Sequence, residues 1–253
     1  MKRSVCLNAD IGELPGKAGR ALDRAILDVI SRCSIACGGH AGDEDSIRAT
    51  LEAAKARKVV IGVHPSYPDR KNFGRASLDI SKGDLLDALR TQVRSFLSIA
   101  NELGVDVAHM KPHGALYNEA AQDETLASML VKLAEEIGIP VLVGLPDTEV
   151  SRAAGKSNLA FIAEGFADRR YQEDGRLVPR NLPGAVITDK AAQIDQIIGL
   201  VENGSLISNT GYAVHLNVQT ICIHGDTQGA VESAAALRDA LAQHNIEIRA
   251  AAP

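Results

Sequence analysis

The chain has 253 residues, of which 45% are hydrophobic, so it can bury one full core and its length does not require two domains. The formal net charge is −5 and no long Lys/Arg run is present, which argues against a nucleic-acid partner. No window holds about eighteen consecutive apolar residues, and the first residues lead directly into an amphipathic strand. We therefore expect a soluble cytoplasmic protein with no membrane segment.

One pattern recurs along the chain. An apolar run of strand length ends in His, Asp, Asn or Glu, then Gly or Pro, and an amphipathic run of helix length follows. The predicted strands cover 4–7, 33–37, 59–63, 105–110, 140–144, 160–163 and 218–223. The predicted helices run through 18–30, 47–54, 85–100, 126–137, 147–155, 189–201 and 228–241.

Several connections stand out between these elements. The segment 65–81 is long for a strand-to-helix connection, which is typical of a lid or binding loop. An insertion at about 165–188 contains Glu173-Asp174-Gly175-Arg176, which predicts a hairpin turn. We expect 204–211 to be a loop and 246–248 to be an edge or eighth strand.

The four cysteines lie in or beside predicted strands, which favours buried, reduced thiols over disulfides. Cys33 and Cys37 are spaced more widely than the Cys-x-x-Cys pattern of zinc and redox sites. We predict a structural place for all of them: Cys6, Cys33, Cys37 and Cys222.

About seven successive strand–helix units, with nearly continuous apolar strands, predict a single TIM-like α/β domain over 1–253, a distorted seven-stranded β/α barrel. An open doubly wound sheet is the alternative. Neither Gly-x-Gly-x-x-Gly after the first strand nor a P-loop motif is present, so the sequence shows no standard nucleotide-binding element.

In a parallel barrel the carboxyl ends of the strands meet at one rim. Six polar residues would reach it from five strand ends: Asp10, His40, His64, His113, His224 and Asp226. Asp10, His40, His64 and His113 could hold one divalent metal, which would polarise a carbonyl or activate water. The same side chains could instead serve as acids, bases or substrate ligands without a metal.

Basic residues are also predicted near this rim. Lys111 lies among histidines on the fourth strand, where it could have a lowered pKa or bind an anion. Arg169 and Arg180, in the insertion, could hold a carboxylate or phosphate, or be solvent-exposed. Five residues of the long loop could close over a ligand: Tyr67, Asp69, Arg70, Lys71 and Arg75.

Seven motifs occur in a fixed order: CLNADIGE, ACGGHAGDE, GVHPSYPD, MKPHGALYN, GFADRRY, GRLVPR and CIHGD. In this order they resemble the LamB/YcsF family, whose characterised role is that of the A subunit of 5-oxoprolinase. The resemblance implies a seven-stranded barrel related to the glycoside hydrolase and deacetylase barrels. It also implies ATP-dependent opening of the 5-oxoproline lactam to L-glutamate, with magnesium accompanying ATP and with partner subunits B and C.

Carried over motif by motif, the resemblance implies a polar cluster of Asn8, Asp10, Glu13, His40, His64, Lys111, His113, Asp168, Arg169, His224 and Asp226. We assign catalytic roles to Asp10, His64, Lys111, His113 and Asp226. We assign substrate binding to Asn8, Glu13, His40, Asp168, Arg169, Arg180 and His224. Two positions depart from the common pattern, Gly39 before His40 and Gly165 before Phe166, and both remove side-chain bulk near the rim.

The residues and the resemblance together give a hypothesis in which ATP activates the lactam carbonyl and water attacks it. Asp10 or Asp226, assisted by His64 or His113, would position the water. Lys111 and Arg169 would offset negative charge on phosphate or carboxylate. The alternatives are a metal-dependent amide hydrolase that needs no ATP and a protein that binds substrate without catalysing.

Overall fold

A computed structural model describes residues 3–224 and 229–251. Within that part of the chain, strands and helices largely alternate, as the sequence predicts, but two helices follow the fourth strand and three strands follow the seventh helix. The strands are β1 (Arg3–Ile11), β2 (Arg32–Ala36), β3 (Val60–His64), β4 (His109–Met110), β5 (Val141–Gly144), β6 (Ala160–Phe166), β7 (Ser205–Ile207), β8 (Ala213–His215), β9 (Thr220–His224) and β10 (Ile246–Ile248). The helices are α1 (Gly16–Leu27), α2 (Glu44–Ala56), α3 (Lys82–Glu102), α4 (Gly114–Ala120), α5 (Glu124–Ile137), α6 (Glu149–Gly155), α7 (Lys190–Asn203) and α8 (Ala230–Gln243).

Seven parallel strands close into a barrel. They pair in the order β1, β2, β3, β4, β5, β6 and β9, and the pairing of β9 back to β1 joins the first strand to the last. The register of that closing pair runs from Cys6 beside Thr220 to Asp10 beside His224. The TIM-like barrel predicted from the sequence is therefore confirmed, and the open-sheet alternative is excluded. β10 adds to the N-terminal end of β1, as an edge strand.

The helices cover the barrel with apolar faces. On α3, for example, Leu85, Leu89, Val93 and Phe96 are buried at helical spacing, and Ser81 caps the helix by accepting from the Asp84 amide. Asp43 caps α2 in the same way through Ser46. Because these caps satisfy backbone donors that the first helical turn leaves open, they fix where each helix begins after its strand.

The interior of the barrel is unusually polar. Side chains of Asn8, Lys111 and Glu164 are all buried there, and below them Arg32 lies 2.9 Å from His109. Most of the apolar core lies instead between the strands and the surrounding helices. TIM barrels are usually filled with branched apolar side chains. Buried polar and charged side chains in their place indicate that the interior of this barrel forms part of a functional site.

Two connecting segments differ from the sequence prediction in detail. Residues 205–207 form a strand antiparallel to 213–215, so the prediction of a loop over 204–211 is wrong for 205–207 and correct for 208–211. Each of these strands has only three residues, which is too few for a periodic pattern to show. The predicted hairpin turn is present, but only Gly175 has a positive φ, as in a type I turn with a bulge.

All four cysteines are buried and free. No described helix is long and apolar enough to cross a membrane.

Candidate active site

The carboxyl ends of the strands surround a cavity of about 690 Å³. Asp10, His64, Lys111 and His113 lie on one side of it. Phe166, Arg169, Arg180 and His224 lie on the other. Cavities of this size enclose small organic ligands, and this one collects charged groups of both signs.

On one side, three histidines gather around Glu13. The Glu13 Oε1 atom is 2.9 Å from His40 Nε2 and 3.2 Å from His113 Nδ1. His64 Nε2 is 3.0 Å from His113 Nδ1 and 3.2 Å from Asp10 Oδ2. Glu13, His40, His64 and His113 each offer one ligand atom, and these atoms lie within 4.8 Å of one another. We call these four residues the histidine cluster.

Burial shapes the protonation of this cluster. Burial lowers the pKa of both His40 and His113, and their hydrogen bonds to Glu13 only partly oppose it. Burial raises the pKa of Glu13, but the bonds from His113 and His40 outweigh it, so that pKa lies well below its usual range. Glu13 is thus an ionised carboxylate beside rings for which the neutral form is favoured.

The long loop 65–81 covers the histidine cluster. Phe73 has a φ of 55°, which is uncommon for a bulky residue, and its carbonyl accepts a hydrogen bond of 3.0 Å from His113 Nε2. A side chain at Gly74 would lie 2.9 Å from His40 Cβ, so only glycine lets the loop approach this closely. The loop is therefore a structural part of the site, since it both bonds to His113 and packs against His40.

The other residues of this loop contribute unequally. Arg75 lines the cavity, whereas Asp69, Arg70 and Lys71 do not. Tyr67 does not: its side chain is buried and its hydroxyl donates to Glu119 Oε2 at 2.5 Å. The expectation that Tyr67 closes over a ligand is therefore wrong, because an apolar pocket and a carboxylate hold it beneath the loop.

Lys111 lies at the centre of the barrel. Its Nζ atom is 2.8 Å from Asp10 Oδ1 and 2.8 Å from Glu164 Oε1, and it donates to Asn8 Oδ1 at 3.2 Å. Burial lowers the pKa of Lys111, but the charges of Asp10 and Glu164 outweigh it and hold that pKa well above its usual value. The predicted lowered pKa is therefore wrong, and the charge that the sequence suggested for an anionic ligand is already offset by two carboxylates.

Across the cavity, Asp168 binds His224. Both carboxylate oxygens of Asp168 lie within hydrogen-bond distance of His224 Nδ1, at 2.8 and 2.9 Å. A carboxylate only accepts, so Nδ1 carries the proton and, in the neutral ring, Nε2 has the lone pair. Burial raises the pKa of Asp168, but the charge and hydrogen bond of His224 outweigh it and lower that pKa. Phe166 stacks on His224 with 5.6 Å between ring centroids.

Arginines surround this second side. Arg75, Arg169, Arg176 and Arg180 all line the cavity, whereas Arg170 does not. Arg169 is buried, and its Nη2 donates to the Val178 carbonyl at 2.7 Å. Burial, followed by the charge of Arg180, lowers the pKa of Arg169, as expected where two cations share one low-dielectric region. An anion between them would relieve this repulsion.

Known proteins are similar to this chain in both sequence and fold. A family model described as the LamB/YcsF family matches residues 5–253. The chain belongs to the LamB/YcsF family. The 5-oxoprolinase A subunit of Chloroflexus aggregans is 41% identical over 247 residues, which span 97% of this chain and 98% of that protein. The protein of the same name from Acinetobacter baumannii strain ACICU is 40% identical over 249 residues, 97% of each chain.

Solved structures agree on the fold. A lactam utilization protein from Thermus thermophilus superposes with a TM-score of 0.88 at 33% identity, covering 98% of this chain and all of that one. A family 4 carbohydrate esterase from Streptomyces lividans has a TM-score of 0.53 at 13% identity, over 99% of this chain and 98% of the esterase. This second likeness concerns the fold alone, and it agrees with the deacetylase-type barrel predicted from the sequence.

Not every residue that the LamB/YcsF motifs suggest contacts the cavity. Asn8, Glu13, His40 and Asp168 are buried behind it rather than in its lining. Asn8, for example, donates to Thr220 Oγ1 at 2.8 Å and accepts from Lys111. Each of these four residues contacts a lining residue: Asn8 contacts Lys111, Glu13 and His40 contact His113, and Asp168 contacts His224. Their assignment to substrate binding stays a prediction. Asp226 lies outside the described residues.

The two unusual glycines of this LamB/YcsF chain do not enlarge the cavity. A side chain at Gly39 would collide with Gln92 Oε1 and Ser66 Oγ, each 2.4 Å away, because those residues are hydrogen-bonded to each other there. A side chain at Gly165 would meet Leu200 and Val218, on the helix side of the barrel. Because these neighbours occupy the space beside each glycine, neither glycine makes the cavity larger for a substrate.

Sequence reasoning gave too little weight to three residues of the site. Glu164 completes the ion pair at Lys111, Phe73 holds His113, and Arg75 lines the cavity. Glu164 left a signal, since it is a charged residue at an inward position of an otherwise apolar strand. Phe73 gave no signal in the sequence, because it binds His113 through its backbone carbonyl.

Proposed function

We propose that this chain is the A subunit of a 5-oxoprolinase, whose cavity binds 5-oxoproline and takes part in opening its lactam to L-glutamate. The observation that carries the proposal is the full-length match, at about 40% identity, to relatives named as the A subunit of 5-oxoprolinase. The similar Thermus thermophilus structure, a lactam utilization protein, supports the same class of substrate.

The geometry supports a small anionic substrate with a reacting amide. The carboxylate of 5-oxoproline would bind the arginine side, where Arg169 and Arg180 line the cavity. The lactam would then extend toward Lys111, His113 and Asp10. His224, with its tautomer fixed by Asp168, would accept a proton from water and deliver it to the ring nitrogen as that nitrogen departs.

ATP is proposed as the activating co-substrate, supplied with magnesium. A single small ring fills only part of a cavity of 690 Å³, which leaves room for a phosphoryl group near the arginines. The lactam oxygen would attack the γ-phosphorus and ADP would leave. Water then adds to the activated carbon, the C–N bond breaks to give an acyl phosphate, and a second water releases glutamate and phosphate.

Partner subunits are part of this proposal. No Gly-rich phosphate loop occurs in the sequence, so the B and C subunits, or their interface with this chain, would hold most of the nucleotide. This chain would contribute the lactam site and the acid–base groups. A barrel that cradles only the reacting end of ATP needs no nucleotide fold of its own.

The test is release of glutamate and ADP from 5-oxoproline and ATP, measured with this chain alone, with B and C alone, and with all three. We expect turnover only with all three. His113→Ala should abolish glutamate formation in the complex while the chain stays folded by circular dichroism. Turnover by B and C alone, or undiminished turnover with His113→Ala, would contradict the proposal.

Two other outcomes would identify the alternatives. Hydrolysis of an amide by this chain alone, without ATP, would make it a free-standing hydrolase, which the histidine cluster could serve. Binding of 5-oxoproline with no effect of any cavity substitution on turnover would instead make it a substrate-binding component. Isothermal titration of 5-oxoproline into the chain, run beside the turnover assay, separates these cases.

A further inference from the structure

The histidine cluster contains an arrangement that the proposed lactam chemistry does not by itself explain. Its four members come from four separate places: the segments after β1 and β2, the end of β3, and the residue before α4. All four side chains are buried. Bringing one carboxylate and three imidazoles together out of water is unfavourable unless something compensates them.

Backbone carbonyls fix the tautomers of two of the rings. His64 Nδ1 donates to the Lys111 carbonyl at 2.7 Å, and His113 Nε2 donates to the Phe73 carbonyl at 3.0 Å. A carbonyl only accepts, so those two nitrogens carry the protons. In the neutral rings the lone pairs are therefore on His64 Nε2 and His113 Nδ1, which face each other at 3.0 Å. Two lone pairs at this distance require a proton or a metal ion between them.

Nearby charge favours the metal ion. Glu13 Oε1 is 3.2 Å from His113 Nδ1 and 3.9 Å from His64 Nε2, so a carboxylate faces the same space. Asp10, Glu13 and Glu164 are three buried acids, and Lys111 is the one lysine paired with them among the described residues. A dication would balance the carboxylate charge that Lys111 leaves uncompensated.

The distances also fit a metal. Tetrahedral zinc with bonds of about 2.0–2.1 Å to nitrogen and oxygen places neighbouring ligand atoms about 3.3 Å apart. The three separations among Glu13 Oε1, His64 Nε2 and His113 Nδ1 are 3.0, 3.2 and 3.9 Å. Two His nitrogens and one Glu oxygen are also a ligand set used by catalytic zinc sites, which leave a further position open.

His40 does not fit as a ligand to the same ion. Its ring is stacked on His113, with an interplanar angle of 4° and 3.6 Å between centroids. A metal binds in the plane of an imidazole, and one ion cannot lie in two parallel planes at once. The His40 Nε2 instead lies 2.9 Å from Glu13 Oε1, a contact that orients the carboxylate from behind.

We propose that Glu13, His64 and His113 bind one divalent transition-metal ion such as Zn²⁺, with His40 as a positioning residue. This set differs from the one that the sequence suggested, because Glu13 takes the place of His40. Asp10 is paired with Lys111 through Oδ1, and its Oδ2 lies 3.2 Å from His64 Nε2, but Asp10 is outside the group whose ligand atoms all lie within 4.8 Å of one another. When bound, the ion would supply Lewis-acid activation of a carbonyl or of water next to the cavity. The site concerns binding, so it can be tested without any turnover.

The experiment is titration calorimetry of the isolated, chelator-treated chain with Zn²⁺, with Mg²⁺ as a control because it prefers oxygen ligands. We expect one Zn²⁺ per chain and no comparable Mg²⁺ binding. Glu13→Gln, His64→Ala and His113→Ala should each lose the site. His40→Phe keeps the stacked ring and should still bind one Zn²⁺, about 10- to 100-fold more weakly.

Two further measurements keep the outcome clear if a variant folds poorly. Zn²⁺ should raise the melting temperature of the wild type and of His40→Phe, but not of the isosteric Glu13→Gln. Visible absorption of bound Co²⁺ should report nitrogen and oxygen ligation in a low-symmetry site. Absence of stoichiometric Zn²⁺ or Co²⁺ binding to the wild type would overturn the proposal and leave a proton shared by His64 and His113. Loss of the site in His40→Phe as complete as in His64→Ala would overturn the three-ligand assignment.

Discussion

The two sides of the cavity are built in opposite ways. The histidine cluster is fixed by backbone carbonyls and packed rings, with an ionised Glu13 at its centre. The other side is formed by the insertion after β6, where Arg169 and Arg180 face the cavity beside the Asp168–His224 pair. One side concentrates lone pairs and negative charge, and the other concentrates positive charge.

This difference indicates a division of labour. A rigid group of lone pairs suits a cation, and its geometry must be held closely to be useful. Arginines on a connecting segment suit an anion, whose position tolerates more variation. Lys111 lies below both sides and balances Asp10 and Glu164. Single substitutions should therefore affect the two sides separately, except at this shared ion pair, where the largest effect is expected.

Lys111→Met tests the buried ion pairs of Lys111 with Asp10 and Glu164, which lie below both sides of the cavity. Removal of the buried cation takes away the charge that Asp10 and Glu164 share, and we expect a loss of roughly 3 to 5 kcal/mol in the free energy of unfolding. Urea denaturation would measure it. Adding Glu164→Gln should recover part of the loss, whereas Lys132→Met, on the exposed face of α5, should change little. A stable single variant would contradict the buried ion pair.

Asp168→Asn tests the acid–base side alone. Asparagine keeps the shape but can hold His224 in the wrong tautomer, so we expect kcat of the reconstituted enzyme to fall about 10³-fold with the fold intact. Zinc binding by the isolated chain should be unchanged. Asp195→Asn, on the exposed surface of α7, is the matched control. A normal kcat in Asp168→Asn would remove this pair from the reaction.

Asp23→Asn tests the electrostatics of the histidine side. Asp23 is buried and accepts from the Gly12 amide at 3.2 Å; burial, outweighing that bond and helped by the charge of Glu13, raises its pKa to about 6. An unfolded Asp titrates near 3.9, so the folded state holds the proton more tightly and loses stability as pH rises from about 4 to 6.

An asparagine at this position cannot ionise. We therefore expect Asp23→Asn to match the wild type near pH 4 and to be more stable near pH 7 by roughly 2 to 3 kcal/mol, as an upper range. Thermal unfolding at both pH values would measure the difference. Asp106→Asn, at an exposed carboxyl, should show no such pH-dependent gain. An equal effect at both pH values would contradict the assignment.

Arg180→Gln tests the arginine side. Loss of one charged donor at the cavity should raise KM for 5-oxoproline about 10-fold and change kcat less, because the carboxylate is bound in both ground and transition states. Arg170→Gln, outside the cavity lining, is the control. The two variants should bind Zn²⁺ equally well. A fall in kcat with no change in KM would instead place Arg180 in the transition state.

The fold was largely predictable because its signals are local. Strand-length apolar runs followed by amphipathic helices, with caps such as Asp43 and Ser81, fix the order of the elements. Closure is a long-range event, the pairing of β1 with β9, and only the count of strands suggested it. The short antiparallel pair 205–207 and 213–215 was missed because three residues carry too little periodicity.

For the site, residue types at strand ends predicted which side chains would gather, but not what they contact. Lys111 was identified as a site residue, but the direction of its pKa shift could not be predicted, because that shift depends on Asp10 and Glu164 across the barrel. His40 shows another, because its parallel stacking on His113 follows from the path of two loops. Chain order gives proximity, whereas charge balance and ring orientation are set by tertiary packing.

Phe73 connects the position of the loop 65–81 to the protonation of His113. The same residue lends its carbonyl to His113 Nε2 and places its ring against His40, with 5.2 Å between centroids. If the loop moves away, His113 loses the acceptor that keeps its proton on Nε2, and its Nδ1 can then take that proton. Entry to the histidine cluster and the position of a proton within it are therefore linked through one peptide group.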